Sequence, residues 1–197
     1  MPELSIVLLA AGSSSRMGSP KALLDWGDQS LVAYQIQKLT QLDFPIHLIL
    51  GYEGENIKRQ THQLPTKSLI NPHWSEGMGN SMAFSMEELE ESDAALFFLV
   101  DQPLITVLDL KRLIDQHKRN PEAIIVSKSK EGWSGPPVIF PKKYFGGIKE
   151  LRGDLGAKPL VKKHKDKVIF VELESSMDDM DTPEAYRKLL SKANLRS

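Results

Sequence analysis

An α/β fold built on a mostly parallel sheet is predicted by three features of the sequence. Apolar runs alternate with helix-period segments from one end to the other, the pattern of strands joined by crossover helices. The run Ala94–Val100 carries no charge over seven residues, which places it near the middle of a sheet covered on both faces. No repeat, low-complexity segment or long linker divides the chain, so residues 1–197 read as one domain.

The elements follow in order. A buried strand over Leu4–Leu9 ends at Ala10-Ala11-Gly12 and a run of small residues. Leu31, Tyr34, Ile36, Leu39 and Leu42 carry a helical stripe within Ser30–Leu42, and Ile46–Leu50 is the next strand. A polar helix is expected over Glu53–Gln63, a short strand over Ser68–Ile70 and a helix over Asn80–Glu91. After Ala94–Val100, Thr106 and Asp109 form an N-cap start for a helix to His117. Ala123–Val126 and Val138–Phe140 read as strands separated by turns at Gly132 and Gly135-Pro136-Pro137. Two short helices, Lys142–Leu151 and Ala157–His164, flank Gly153-Asp154-Leu155-Gly156; a strand over Val168–Val171 and a helix from Thr182-Pro183 to Lys192 complete the chain.

Composition narrows the function. Lys and Arg number 25 against 26 Asp and Glu, a net charge of -1, so there is no general basic field for nucleic acid. No apolar run reaches the roughly 18 residues of a membrane span. Cysteine is absent, which excludes disulfides, thiolate metal sites and a Cys nucleophile, and no basic leader precedes the first strand. A cytoplasmic protein is the expectation. The five histidines show no ligand pairing, no GxSxG elbow occurs, and Met78, Met82 and Met86 have the spacing of a helix face packed in a core.

In an open α/β sheet, ligands gather beyond the carboxyl ends of the strands. Two segments there can bear chemistry. Leu9 to Lys21 is rich in small residues that let backbone N–H groups approach an anion, with Arg16 and Lys21 supplying positive charge. It is neither a Walker A loop nor a dinucleotide fingerprint, and a flexible Gly/Ser turn with surface charges accounts for the same spacing. Asp101, directly after the apolar strand, suits coordination of Mg²⁺ bridging nucleotide phosphates, with turn formation as its plain alternative. Near the C-terminus Asp178, Asp179 and Asp181 precede a helix; a capping box of Asp181 with Glu184 explains Asp181 and leaves Asp179 without a role.

Together these segments resemble a known family. Leu9–Lys21 is similar to the LAAGxSxRMGxxK signature of nucleotidyltransferases, and the chain resembles the molybdenum cofactor cytidylyltransferase branch of the MobA-like group. Further matches follow in order: Asn71-Pro72-His73-Trp74 with Gly77 and Ser81, Asp101-Gln102-Pro103, Gly135–Phe140, Leu151–Lys158 and Asp179–Glu184. Pro136 and Lys158 depart from the family pattern, where a polar residue or His and an Arg are usual.

The resemblance implies a three-layer Rossmann-like nucleotidyltransferase fold and Mg²⁺-dependent transfer of a nucleoside monophosphate from an NTP, with release of pyrophosphate. It implies that Arg16, Lys21 and Asp101 are catalytic and that Leu9, Ala10, Ala11, Gly12, Arg16 and Lys21 hold the nucleotide. Gly77, Gly79 and Ser81 would lie near base and ribose. Asp101 would ligate the metal together with Asp181, or with Asp179 as the competing choice. The Ala10-Ala11-Gly12 form resembles the cytidylyl branch, making CTP the expected nucleotide and the terminal phosphate of molybdopterin the expected acceptor. Gly135, Pro137, Gly153, Asp154 and Lys158 would receive that acceptor. A molybdoenzyme of the xanthine oxidase type is the implied recipient. Another NTP, another phosphorylated acceptor, or a non-catalytic molybdopterin carrier remain the alternatives.

Overall fold

The computed structural model describes residues 3–13, 19–173, 175, 178 and 180–194. Its centre is a seven-stranded sheet in the order β5-β4-β1-β6-β8-β7-β9. The strands are β1 (Leu4–Ala10), β4 (Ile46–Leu50), β5 (Lys67–Ile70), β6 (Ala94–Leu99), β7 (Ile124–Lys128), β8 (Ser134–Pro141) and β9 (Val168–Glu172). Only β8 runs against the others, pairing antiparallel with both β6 and β7. The uncharged strand β6 stands fourth of the seven, and both of its faces are covered.

Alternation along the strands sends side chains into two cores. Leu4, Ile6, Leu8, Leu96 and Phe98 face α1 (Leu31–Thr40), α2 (Gly54–Thr61), α4 (Val107–Arg119) and α7 (Pro183–Asn194). Val7, Leu9, Ala95 and Phe97 face α3 (Met78–Ser85), α5 (Phe145–Lys149) and α6 (Lys158–Lys163). The result is three layers, helices on either side of one sheet.

The chain passes from β1 outward to β4 and β5, then returns to place β6 on the other side of β1. That reversal opens a crevice at the carboxyl ends of two paired strands, where Leu9 lies opposite Leu99. Because β8 is antiparallel, its first residues reach the same edge, with Gly135 opposite Ser127 just past a register shift in β7.

Several local expectations need correction. The helix expected over Asn80–Glu91 begins at Met78 and gives way at Met86–Glu88 to a 3-10 turn. Its methionines divide: Met82 and Met86 are buried, whereas Met78 is 37% exposed and borders the crevice. The expected helix Lys142–Leu151 is a 3-10 turn followed by only Phe145–Lys149. A hairpin of β2 (Asp25–Trp26) and β3 (Gln29–Ser30) was not anticipated, although Gly27-Asp28 is a two-residue turn of a recognised hairpin type with Gly27 at φ +65°. Thr106 caps α4 as expected: its hydroxyl accepts from the Asp109 N–H, and the Asp109 carboxylate accepts from the Thr106 N–H. At α7 the cap is Thr182, whose Oγ1 accepts from the Ala185 N–H at 3.1 Å, so Asp181 is free of capping duty.

The core also holds charged side chains, Lys38 and Asp109 among them. Lys38 on α1 is buried beside Phe98, and burial pushes its pKa from 10.5 down to about 7, the Asp109 charge opposing that shift only in part. The unfolded chain therefore holds a proton between about pH 7 and 10.5 that the folded chain has released, and stability rises with pH across that interval. Lys38→Met removes this dependence. The melting temperature of wild type minus that of the variant is expected to rise steadily from pH 7 to pH 10, as thermal unfolding at matched ionic strength will read.

Candidate active site

The crevice at the switch point is a cavity of 640 Å³. The end of β1 contributes Leu9, Ala10, Ala11, Gly12 and Ser13, and the end of β6 contributes Leu99, Val100 and Asp101. Lys21, Trp74, Gly77, Met78, Ser81, Asp154 and Asp181 complete most of the lining. A Cβ placed on Gly12, which lines the cavity, would meet no described atom within 4 Å.

Lys21 is the electrostatic centre. It opens a single 3-10 turn, Lys21–Leu23, anchored by buried Ala22. Its Nζ donates to Asp101 Oδ2 and to Asp181 Oδ1, each at 2.6 Å, joining residues 80 and 160 positions away. Burial is the largest influence on the ammonium and lowers its pKa, but the charges and hydrogen bonds of Asp101 and Asp181 together outweigh it and hold the pKa above the ordinary lysine value. Asp181 reaches this position because α7 is tied to the hairpin: the Tyr186 hydroxyl donates to the Asp25 carbonyl at 2.6 Å.

Asp101 has one oxygen to spare. Oδ1 is buried and has no hydrogen-bond partner among the described residues. An unpartnered carboxylate oxygen at a cavity wall costs free energy unless a cation or donor meets it there. Asp101 and Asp181 supply hard oxygen donors within reach of one cation, the kind of partial set that Mg²⁺ or Mn²⁺ uses when substrate phosphates and water complete its shell. The residues fit a divalent ion. No group of three or more His, Cys, Asp or Glu able to hold a metal occurs among the described residues.

The wall opposite Lys21 is fixed by close backbone packing. Gly77 has φ +103°, and a Cβ there would lie 2.4 Å from the Gly153 carbonyl carbon. The Gly79 N–H donates to the Gly153 carbonyl at 2.8 Å, and a Cβ on Gly79 would lie 2.8 Å from the Arg152 oxygen. Gly77 and Gly79 thus let α3 dock on the 152–154 loop, which carries Asp154 to the cavity. Gly77→Ala is expected to cost about 1–3 kcal/mol in chemical unfolding, through strain at a left-handed position and the steric clash. Behind this wall buried Asn71 donates to Asn80 Oδ1 at 3.0 Å and to Ser81 Oγ at 3.2 Å, while its own oxygen accepts from the His73 N–H. Gly51 brings Trp74 against the Ala11 carbonyl, since a Cβ at 51 would meet both within 2.5 Å.

A second cavity of 730 Å³ adjoins the first and shares Leu9, Met78, Leu99 and Asp154 with it. Its walls are apolar and aromatic, with Trp133 and Phe170 half exposed, and Lys158, Lys162 and Lys165 stand on its rim. Gly135, Asp154 and Lys158 line it; Pro137 and Gly153 do not. Pro137 instead turns its carbonyl to the Ser127 hydroxyl at 2.6 Å, and Gly153 serves as the acceptor for Gly79. Of the other expected residues, Gly79 packs behind the wall, and Arg16 and Asp179 lie outside the described residues. Trp133, Phe170 and Met78 were missed as site residues; an aromatic beside the Gly132 and Gly135 turns was the available signal for Trp133.

The model of the MobA-like NTP transferase domain matches residues 6–168, which takes in β1, β6 and both cavity walls up to β9. The chain belongs to that family. Among curated MobA-like relatives, nicotine blue oxidoreductase of Paenarthrobacter nicotinovorans is 28% identical over 96% of this chain and 98% of its own. The purine catabolism protein PucB of Bacillus subtilis is 29% identical over 94% and 95%. Among solved structures, Rv0371c of Mycobacterium tuberculosis superposes with a TM-score of 0.87 at 26% identity, covering 96% of this chain and 98% of that one. Its complex with manganese gives a TM-score of 0.82. The chain is an NTP-dependent nucleotidyltransferase of the MobA-like type. No helix among the described residues is long and apolar enough to cross a membrane.

Proposed function

We propose that this MobA-like enzyme, acting as a single domain, transfers CMP from CTP to the terminal phosphate of a molybdopterin-type cofactor and releases pyrophosphate. The observation that carries the reading is the pair of cavities meeting at Leu9, Met78, Leu99 and Asp154, one lined by Lys21, Asp101 and Asp181 and the other by Trp133 and Phe170 together with Lys158, Lys162 and Lys165. The Ala10-Ala11-Gly12 form at the end of β1 supports CTP. Relationship to a purine catabolism protein supports a molybdoenzyme of the xanthine oxidase type as recipient.

The chemistry requires an oxygen of the acceptor phosphate to form a bond to the α-phosphorus while the bond from that phosphorus to the bridging oxygen breaks and pyrophosphate leaves with the electron pair. The acceptor oxygen is already ionised, so alignment and charge neutralisation replace a general base. Lys21, together with Arg16, neutralises the triphosphate; Gly12 leaves room for phosphate oxygens at the end of β1. Lys158 on the rim faces the acceptor, and Trp133 and Phe170 offer aromatic faces to its ring. A divalent ion would be held by Asp101 and Asp181 and would supply Lewis-acid stabilisation of charge on the phosphates. The manganese complex of Rv0371c supports a divalent requirement. Localisation in the cytoplasm is part of the proposal.

Pyrophosphate release from CTP, GTP, ATP and UTP, each with and without the molybdopterin-type cofactor and Mg²⁺, tests the reading. Release confined to CTP with cofactor is expected. Cofactor-dependent release with a different nucleotide overturns the base assignment, and release that ignores the cofactor overturns the acceptor.

A further inference from the structure

Two polar side chains of α1 are buried where the helix meets the sheet. Gln35 is fully buried and its Nε2 donates to the Val100 carbonyl at 2.8 Å. One turn on, Lys38 Nζ donates to the carbonyls of Pro103 at 3.2 Å and Ile105 at 2.7 Å, and stands 5.0 Å from the Phe98 ring centre and 5.3 Å from that of Tyr34. The three accepted bonds bracket Asp101-Gln102 on the loop between β6 and α4. On the far side of the same loop, the Asp101 carboxylate meets Lys21.

A lysine is a costly way to fill this gap. Desolvating an ammonium is unfavourable, and methionine would occupy a similar volume without that cost. What methionine could not do is hold two carbonyls at once. Among the described residues the backbone N–H groups of the loop are tied at its two ends: Val100 donates to Leu9, Gln102 to Leu99 and Thr106 to the Asp109 carboxylate. Gln35 and Lys38 supply donors on both sides of Asp101, from a helix fixed in the core by Leu31, Val32, Ile36 and Leu39.

We infer that Lys38 and Gln35 are positioning residues, holding the β6–α4 loop by its carbonyls so that the Asp101 carboxylate is presented rigidly to Lys21 and the nucleotide. The inference rests on the reading of Asp101 as a catalytic residue. Displacement of a reacting group by about 1 Å can cost about 10²-fold in rate, so a loosened loop acts on turnover far more than on nucleotide binding, which depends mainly on Lys21 and the end of β1.

The test compares Lys38→Met, Gln35→Met, Asp101→Asn and the double variant Lys38→Met/Asp101→Asn by kcat, KM for CTP, and amide hydrogen exchange over residues 100–105. Lys38→Met is expected to lower kcat by about ten- to a hundredfold with KM for CTP changed less than about threefold, and to speed exchange in the loop while exchange in β1 and β4 stays at wild-type rates. Gln35→Met, which touches no charge, is expected to act in the same direction more weakly and keeps the test open should Lys38→Met not fold. The double variant is expected to be no slower than Asp101→Asn, because a loop with no carboxylate to present has nothing left to lose. Wild-type kcat in folded Lys38→Met, or an additive loss in the double variant, overturns the inference while Asp101→Asn remains impaired. Wild-type kcat in Asp101→Asn itself overturns the site reading, and with it the inference.

Discussion

Asp101→Asn is expected to lower kcat by about 10²–10³-fold, the scale for loss of one preorganised electrostatic partner of the transition state, while the melting temperature stays within a few degrees of wild type. The fold is spared because the loop's backbone bonds to Leu9 and Leu99 and its ties to Gln35 and Lys38 do not use the Asp101 side chain. The rate falls for two reasons. An amide is a poor ligand for a divalent cation compared with a carboxylate, and Lys21 loses the negative charge of its less exposed carboxylate partner. Steady-state pyrophosphate release at saturating CTP, with a thermal melt on the same preparation, checks both parts. Near-wild-type turnover would remove Asp101 from the mechanism.

Lys21→Met has the second large effect, and its signature differs. Both KM for CTP and kcat are expected to suffer: affinity by about tenfold or more, since a hydrogen bond to a charged group contributes about 1.5–3 kcal/mol, and turnover by about 10²-fold. Asp101 and Asp181, each 2.6 Å from the same ammonium, would then face one another without Lys21 between them. Lys21→Arg keeps the charge but spreads it over a planar fork, and is expected to recover affinity better than turnover. Steady-state kinetics in CTP separate these outcomes; unchanged affinity and rate in Lys21→Met would remove the phosphate-cradle assignment.

Much of the scaffold is legible in the sequence because its cues are local. An uncharged run announces β6, and the Thr106 and Asp109 pair announces the start of α4. Asp101 stands out for the same reason: it follows the strongest strand, and strand ends are where α/β folds place ligands. What escaped depends on contacts between distant segments. The resemblance names Asp181 as a metal ligand, but nothing near Asp181 says that it meets a lysine 160 positions earlier, and its local spacing reads as a capping box where Thr182 holds the helix end instead. Met78 has the spacing of a core residue, but the left-handed turn at Gly77 starts α3 over the cavity, so its first methionine faces the crevice and the next two face the core. Nothing in the sequence around Lys38 announces its burial, which is decided by a loop 65 residues further on whose carbonyls accept from it. The glycines at 77 and 79 read as ligand contacts; Gly79 acts by admitting another stretch of backbone, and Gly77 both borders the cavity and admits that backbone.

The second cavity shows the same limit. Gly135 and Lys158 were reachable through the resemblance, but the aromatic walls are assembled from β8, β9 and the turn before β8, which only the mixed sheet order brings together. Antiparallel β8 delivers its amino end to the edge where the other strands deliver their carboxyl ends, and Trp133, just before it, lines the second cavity together with Leu155 and Phe170.

The most direct measurement is the mass of the product. Incubation of the enzyme with Mg²⁺, CTP and the molybdopterin-type cofactor, followed by mass spectrometry of the extracted cofactor, is expected to show it enlarged by one cytidylyl group, with one pyrophosphate released per cofactor converted. A cofactor recovered at its starting mass, with CTP intact and the enzyme folded, would contradict the account.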